Sequence, residues 1–130
     1  DTGVVFADRG NGYSYGWNAT NDNTKDQNAS NSPDQRYDTF AQMQSNGTYT
    51  WEIAVPNGTY TVHLVAGDPN NYDSVYRMNL EGALALSGTP TSAVRWIEAT
   101  VTVTVSDGRL TLSNGSGAVK NKVDFIDIVN

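Results

Sequence analysis

The sequence predicts an all-β fold, a two-layer β-sandwich or jelly roll of about eight strands held together by long polar loops. Three observations predict it. Short runs of apolar residues alternate with polar ones at period two. Clusters of Gly, Pro, Asn, Asp and Ser separate these runs. Asn, Thr, Ser, Gly and Asp are heavily used while Glu and Lys are scarce, so strong helix formers are few and β-branched residues many. No helix longer than a turn or two is expected, and no internal repeat is visible.

At 130 residues a single domain spanning 1–130 is expected. That length buries a core without staples. There is no cysteine, so neither a disulfide framework nor thiolate chemistry is available. No apolar run approaches the roughly 18 residues that span a bilayer. The net charge of −6 argues against nucleic acid, whose phosphates need a cationic surface. The chain opens at Asp1 without a signal-peptide pattern, as a processed protein or an excised module would. A composition of this kind is common in secreted bacterial domains, and a monomer is expected.

Val4-Val5-Phe6-Ala7 reads as the first strand. Residues 8–46 lack sustained periodicity and are dense in Asn, Asp, Ser and Gly, yet Tyr13, Tyr15, Trp17, Tyr37 and Phe40 interrupt them. A disordered tract would not need these aromatics. Short strands are expected around Tyr13–Trp17 and Tyr37–Met43. From Thr48 to Asp68 the pattern is strongest. Tyr49, Trp51, Ile53 and Val55 alternate with polar or small residues, Pro56-Asn57-Gly58 carries turn chemistry, and Tyr60, Val62, Leu64 and Ala66 resume the alternation. This predicts a β-hairpin. Val75–Glu81 reads as a strand with Tyr76, Met78 and Leu80 on one face, and Leu84–Leu86 as a short one. Trp96–Val105 is the longest alternating run. Ser106-Asp107-Gly108 turns it into Leu110–Leu112, and Val123–Val129 closes the fold.

Most catalytic chemistries lack their residues. A Ser-His-acid arrangement would need His63, the one histidine, which falls mid-strand on a polar face. Zinc sites need several His or Cys ligands. Glu52, Glu81 and Glu98 fall within or beside strands on polar faces, and most aspartates occupy turns. Asp22, Thr24, Asp26 and Asn28 alternate like a calcium loop but lack its glycine and bidentate glutamate. Asp8 and Asp124 form a candidate pair if the terminal strands are neighbours. Five Asn-X-Ser/Thr triplets follow from the composition, and Asn57 is needed by its turn.

What remains is loop aromatics among amides, carboxylates and guanidinium groups. A sugar ring has an apolar C–H face and a fringe of hydroxyls, and such a mixture suits both. Tyr13, Tyr15, Trp17, Tyr37 and Tyr72 fit that need. Plugging the ends of the sandwich core would explain any one of them equally well.

The order Tyr37-Asp38-Thr39, Trp51 to Val55, Asn57-Gly58-Thr59-Tyr60-Thr61-Val62-His63-Leu64, Tyr76 to Gly82, Val101 to Leu110 and Asn121 to Ile128 resembles the malectin and malectin-like domains. These belong to the galactose-binding-like β-sandwiches, which include carbohydrate-binding modules of bacterial polysaccharide-degrading enzymes. The resemblance covers most of the chain. It implies a sugar site on loops at one end of the sandwich. Tyr37 matches the family's Tyr-X-Thr tyrosine, and Tyr72 lies in the loop that carries its aromatic pair. The family's late aspartate falls where this chain reads Val119-Lys120-Asn121. A structural calcium, which related modules carry between first and last strands, would draw on Asp8 and Asp124.

The expectation is therefore a non-catalytic module that binds a polysaccharide and targets a covalently attached enzyme to it. Tyr37, Tyr72 and Trp17 are expected to stack on sugar rings. Arg36, Asp38, Asp68, Asn71, Asp73 and Asn121 are expected to hydrogen-bond their hydroxyls. A structural or adhesive sandwich, or a small carbohydrate-active enzyme using two aspartates, is the alternative.

Overall fold

A computed structural model of the chain describes residues 3–130. In chain order the strands are β1 (Ala7–Asp8), β2 (Ser14–Trp17), β3 (Thr24–Asp26), β4 (Thr39–Gln42), β5 (Trp51–Ala54), β6 (Gly58–Gly67), β7 (Tyr76–Leu80), β8 (Ala83–Gly88), β9 (Trp96–Val105), β10 (Arg109–Asn114) and β11 (Lys122–Val129). One short helix, α1 (Gln35–Asp38), precedes β4. The strands form two antiparallel sheets, ordered β1-β2-β5-β10-β7-β8 and β3-β4-β11-β6-β9. The two sheets face each other as the layers of a sandwich.

The alternation read from the sequence decides which side of each strand is buried. On β6, Tyr60, Val62, Leu64 and Ala66 face the interior, while Thr59 and Thr61 stay exposed. On β9, Val103 and Val105 are buried and Thr100, Thr102 and Thr104 are exposed. Trp51 of β5, Tyr76, Met78 and Leu80 of β7, and Leu110 and Leu112 of β10 complete the core from the other layer. Short strands do occupy Ser14–Trp17 and Thr39–Gln42, as expected.

The expected hairpin is not one. β5 pairs with β2 and β10, whereas β6 pairs with β9 and β11 in the opposite sheet. Pro56-Asn57 carries the chain between layers, so the two apolar faces meet across the core rather than side by side. The β9–β10 turn crosses in the same way. The crossings are joined to each other: the Gly108 N–H donates to Asn57 Oδ1 at 2.7 Å, and the Val55 N–H donates to the Gly108 carbonyl at 3.0 Å. Gly108 has φ of 76°, a left-handed conformation that favours glycine. The Tyr60 hydroxyl closes the first crossing by donating to the Pro56 carbonyl at 2.6 Å.

The first strand is also shorter than expected. Val4 and Val5 remain 45% and 42% exposed, so the run has no face to bury, and regular pairing starts only at Ala7. β1 lies at the rim of one sheet and β11 inside the other. The terminal strands are therefore not neighbours.

Candidate functional site

The loops at one end of the sandwich are wired together through Asp68, which follows β6. Its carboxylate accepts from Lys122 Nζ at 2.6 Å, Gln27 Nε2 at 3.0 Å, the Asn70 N–H at 2.9 Å and Asn71 Nδ2 at 3.0 Å. Burial alone would push this carboxyl up, but the ammonium and the amide donors outweigh it and hold it below the usual carboxylate value. The Pro69 carbonyl accepts from Asn31 Nδ2 at 3.1 Å and Arg95 Nη1 at 3.0 Å. The Trp96 indole N–H donates to the Tyr37 carbonyl at 3.0 Å. Three loops, 27–34, 68–73 and 89–95, thus share one hydrogen-bonded base. The 115–121 loop joins them where Val75 bridges Val119 and the Ser74 hydroxyl donates to the Lys120 carbonyl.

Gly67 makes this junction sterically possible. A Cβ there would lie 2.4 Å from Trp96 Cδ1 and 2.7 Å from the Arg95 carbonyl. Without one, the start of β9 lies directly against the end of β6.

Above the base stands Tyr72, 47% exposed, with the Arg95 guanidinium 4.7 Å from its ring centroid. Asn70, Asn71 and Asp73 around it are exposed. Asp73 is ion-paired with Lys120, whose hydrogen bond is the main cause holding the Asp73 carboxyl below its usual value. The result is a fixed aromatic ring in an amide-rich rim.

The other expected site residues divide by position. Tyr37 is half-buried near the same end, but its ring packs edge-on against Trp96 and Phe125 at 5.9 and 5.1 Å, and its hydroxyl donates to Glu98 at 2.9 Å. Burial, then the Glu98 hydrogen bond, raises its pKa. Arg36 lies over Phe125 at 4.2 Å on the same outer face of the sheet. There His63 meets Glu98 at 3.0 Å and Asp127 at 3.3 Å.

Three expected hydroxyl partners are buried instead. Asp38 accepts from the Ala29 N–H and the Ser32 hydroxyl, which hold its carboxyl below the usual range. Asn121 donates to the Arg77 carbonyl and Asn114 Oδ1 and accepts from the Arg77 N–H. Together with Asp68, these side chains direct their bonds inward and shape loops rather than facing solvent. Trp17 is the clearest departure. It sits on β2 between the sheets at 2% exposure, because its register opposite Trp51 puts it on the core face. Arg95, Trp96, Gln27 and Lys122 do much of the positioning and were not singled out from sequence. The juxtaposed Arg95-Trp96 at a loop–strand junction was the available signal for the first two.

Asp8 and Asp124 do not come together. Asp8 is exposed on rim strand β1 and accepts from the Gly10 N–H. Asp124, at the β11 bulge, has both oxygens buried with no hydrogen bond of good geometry. Burial pushes it up to about 10, only partly offset by the Gly67 amide and Lys122. Calcium takes six to eight oxygens. The nearby carboxylate, Asp68, is already spent on Lys122, so these residues do not fit the ion. Among the described residues no group of three or more His, Cys, Asp or Glu is placed to hold a metal. Asp26 of the Asp22–Asn28 stretch is occupied with the Asn28 N–H and Gln35 Nε2.

No protein-family model matches the chain, and no curated protein matches it. Solved structures do. A Bacillus subtilis protein, YXIM, superposes with a TM-score of 0.58 at 22% identity, over 89% of this chain and 31% of that one. A Bacteroides uniformis β-glucuronidase gives 0.52 at 16% identity, over 72% of this chain and 11% of that one. The family 35 carbohydrate-binding module of Abf62 from Cellvibrio japonicus gives 0.51 at 20% identity, over 81% of this chain and 80% of that one. This chain is thus matched to about a tenth and a third of the two longer proteins and to four-fifths of the module. At these identities the likeness is one of fold: the chain shares the β-sandwich of a carbohydrate-binding module.

Proposed function

We propose that this domain is a non-catalytic carbohydrate-binding module whose site is the loop end around Tyr72. The observation that carries the reading is the Tyr72 ring itself. It is half exposed, backed by Arg95, and rimmed by Asn70, Asn71 and Asp73 on a base fixed by buried Asp68. A flat ring covers the C–H face of a sugar, and the rim pairs with its hydroxyls. Because the base is prewired, little loop entropy is lost on binding. A shallow site of this kind gives modest affinity, and its use is to keep an attached catalytic domain close to an extracellular polysaccharide. The shared fold with the Cellvibrio japonicus module supports the assignment.

The carboxylates support a binding role over hydrolysis. Glycoside hydrolysis pairs a raised-pKa acid with a second open carboxylate across a substrate cleft. At the loop end Asp73 is tied to Lys120 and Asp68 to Lys122, while the strongly raised acid, Asp124, has both oxygens buried and lies on β11 rather than in the loops around Tyr72. Among the described residues no helix is long and apolar enough to cross a membrane, which accords with a secreted module.

Affinity electrophoresis through gels containing plant, algal or microbial polysaccharides tests the reading. Retardation by at least one glycan, strongly weakened in Tyr72→Ala, is expected. Full retardation in Tyr72→Ala, or none with any glycan, overturns the site or the function respectively. Release of reducing sugar by the isolated domain would establish an enzyme instead.

A further inference from the structure

The two sheets do not close on each other along the edge formed by β2 and β5 in one layer and β3 and β4 in the other. A cleft of about 590 Å³ opens there. Its cause is visible in the pairing. β4 pairs with β11 at Lys122–Gln42 and Val123–Ala41 and no further, and next to these pairs β11 carries a bulge in its ladder with β6, between Val123 and Phe125. Thr39 and Phe40 are then separated from Asp124, Phe125 and Ile126, and all five residues line the opening. Bulges are common beside functional sites, where they re-aim side chains.

The lining has two parts. Half-buried Tyr15 supplies the aromatic wall, with its ring 6.2 Å from that of Trp51 and tilted by 48°, and the buried Trp51 and Trp17 rings form the floor behind it. Thr24, Asp26 and Thr39 line the opening from the second sheet; register pairs Asp26 with Thr39 and Thr24 with Ala41, which places them on one face. The Asp26 carboxylate accepts from the Asn28 N–H at 3.0 Å on one oxygen and from Gln35 Nε2 at 2.9 Å on the other, which fixes its orientation. Among the described residues the buried Trp17 indole N–H has no acceptor. Leaving such a donor unmet is costly in a core that is otherwise well satisfied.

We infer that this cleft is a second ligand site and takes one neutral pyranose ring. The Tyr15 ring covers one C–H face of a sugar. Two threonine hydroxyls and the Asp26 carboxylate reach its hydroxyls, and the unmet Trp17 N–H lies in the wall behind them. Lys25 and Asp26 both line the mouth, so it offers no net positive charge to draw an anionic sugar. The volume lies in the range of about 300–1,000 Å³ typical of small-molecule pockets. The ligand class rests on the carbohydrate-binding reading above, but the location does not involve Tyr72 or the loop end. Two sites on one module would raise avidity for a polysaccharide with exposed chain ends or branches.

Fluorine NMR of the 5-fluorotryptophan-labelled domain tests this, because Trp17 and Trp51 line the cleft while Trp96 lies by Tyr37. Galactose, glucose, xylose and glucuronic acid are titrated separately. At least one neutral sugar should shift the Trp17 and Trp51 signals saturably, and glucuronic acid should not. The shifts should persist in Tyr72→Ala. They should vanish in Thr39→Phe, which fills the mouth, and require about tenfold more sugar or greater in Asp26→Ala, the worth of one charge-assisted hydrogen bond. Asp26 is exposed, so that variant keeps its fold if Thr39→Phe does not. Unmoved Trp17 and Trp51 signals with every sugar overturn the cleft site and leave the loop-end reading intact. Shifts that disappear in Tyr72→Ala also overturn it, assigning all binding to the loop end. Shifts that survive in Tyr72→Ala, in a domain whose gel retardation also survives, uphold the cleft and overturn the loop end.

Discussion

Lys122 Nζ lies 2.6 Å from Asp68 Oδ2, and both side chains are almost wholly buried. The pair joins the end of β6 to the start of β11 beneath the loops, and Asp68 gathers the Gln27, Asn70 and Asn71 donors on the same carboxylate. Asp68→Ala leaves a buried ammonium without its partner. That should cost about 3–5 kcal/mol in chemical denaturation. Replacing both residues, as in Asp68→Ala with Lys122→Met, should recover part of the loss. A cost below about 1 kcal/mol, the range of exposed ion pairs, would show that the pair is open to water.

Asp124 makes stability depend on pH in the opposite sense to Asp68. Its folded pKa is raised to about 10, so the native state holds a proton that the unfolded chain gives up. Stability from this group is complete below the ordinary carboxylate pKa and is lost as pH rises toward about 10. Asp68 has a lowered pKa, and its contribution is lost as pH falls through the acid range. Asp124→Asn removes the first dependence. It should raise stability by on the order of a few kcal/mol at pH 7, which is a Tm rise of at least about 5 °C. The gain should shrink toward pH 4. Equal stability of the two proteins at pH 8 would show that Asp124 is ionised in the fold.

The crossings between layers give a third expectation. Tyr60→Phe deletes the hydroxyl that donates to the Pro56 carbonyl and leaves the ring in the core. Asn57→Ala deletes the acceptor of the Gly108 N–H. Each should cost about 1 kcal/mol. Because the two bonds hold the same pair of crossings, the double variant should lose more or less than the sum of the singles. Strict additivity in denaturant titrations would mean that the crossings are independent.

These crossings also mark what local pattern carries and what it omits. Alternation at Tyr60, Val62, Leu64 and Ala66 announces a strand and its buried face. It is silent on which strand lies beside it, since Pro56-Asn57-Gly58 serves a hairpin and a crossing between layers equally well. The site divides along the same line. Tyr72 was legible as an aromatic in a polar loop, and it is exposed. Asp68 reads as another solvated loop aspartate, because the lysine that buries it lies 54 residues away. Trp17 was misplaced because a four-residue strand is too short to show a period.

Tyr37 and Tyr72 were expected to share one role, and the structure separates them. Tyr72 is held by Arg95 alone among ring contacts in its loop, an interaction worth about 0.5–1 kcal/mol at an exposed site. Tyr37 packs against two rings and bonds Glu98, so it anchors α1 to the outer face of β11 and β9. Tyr72→Ala should therefore leave Tm within a few degrees and strongly weaken retardation by the polysaccharide. Tyr37→Phe, which keeps the ring and loses the Glu98 bond, should retain retardation. Tyr37→Ala should lower stability by about 1–3 kcal/mol and weaken retardation only in proportion to the population unfolded. Loss of retardation in a fully folded Tyr37→Phe would instead place its hydroxyl on the sugar.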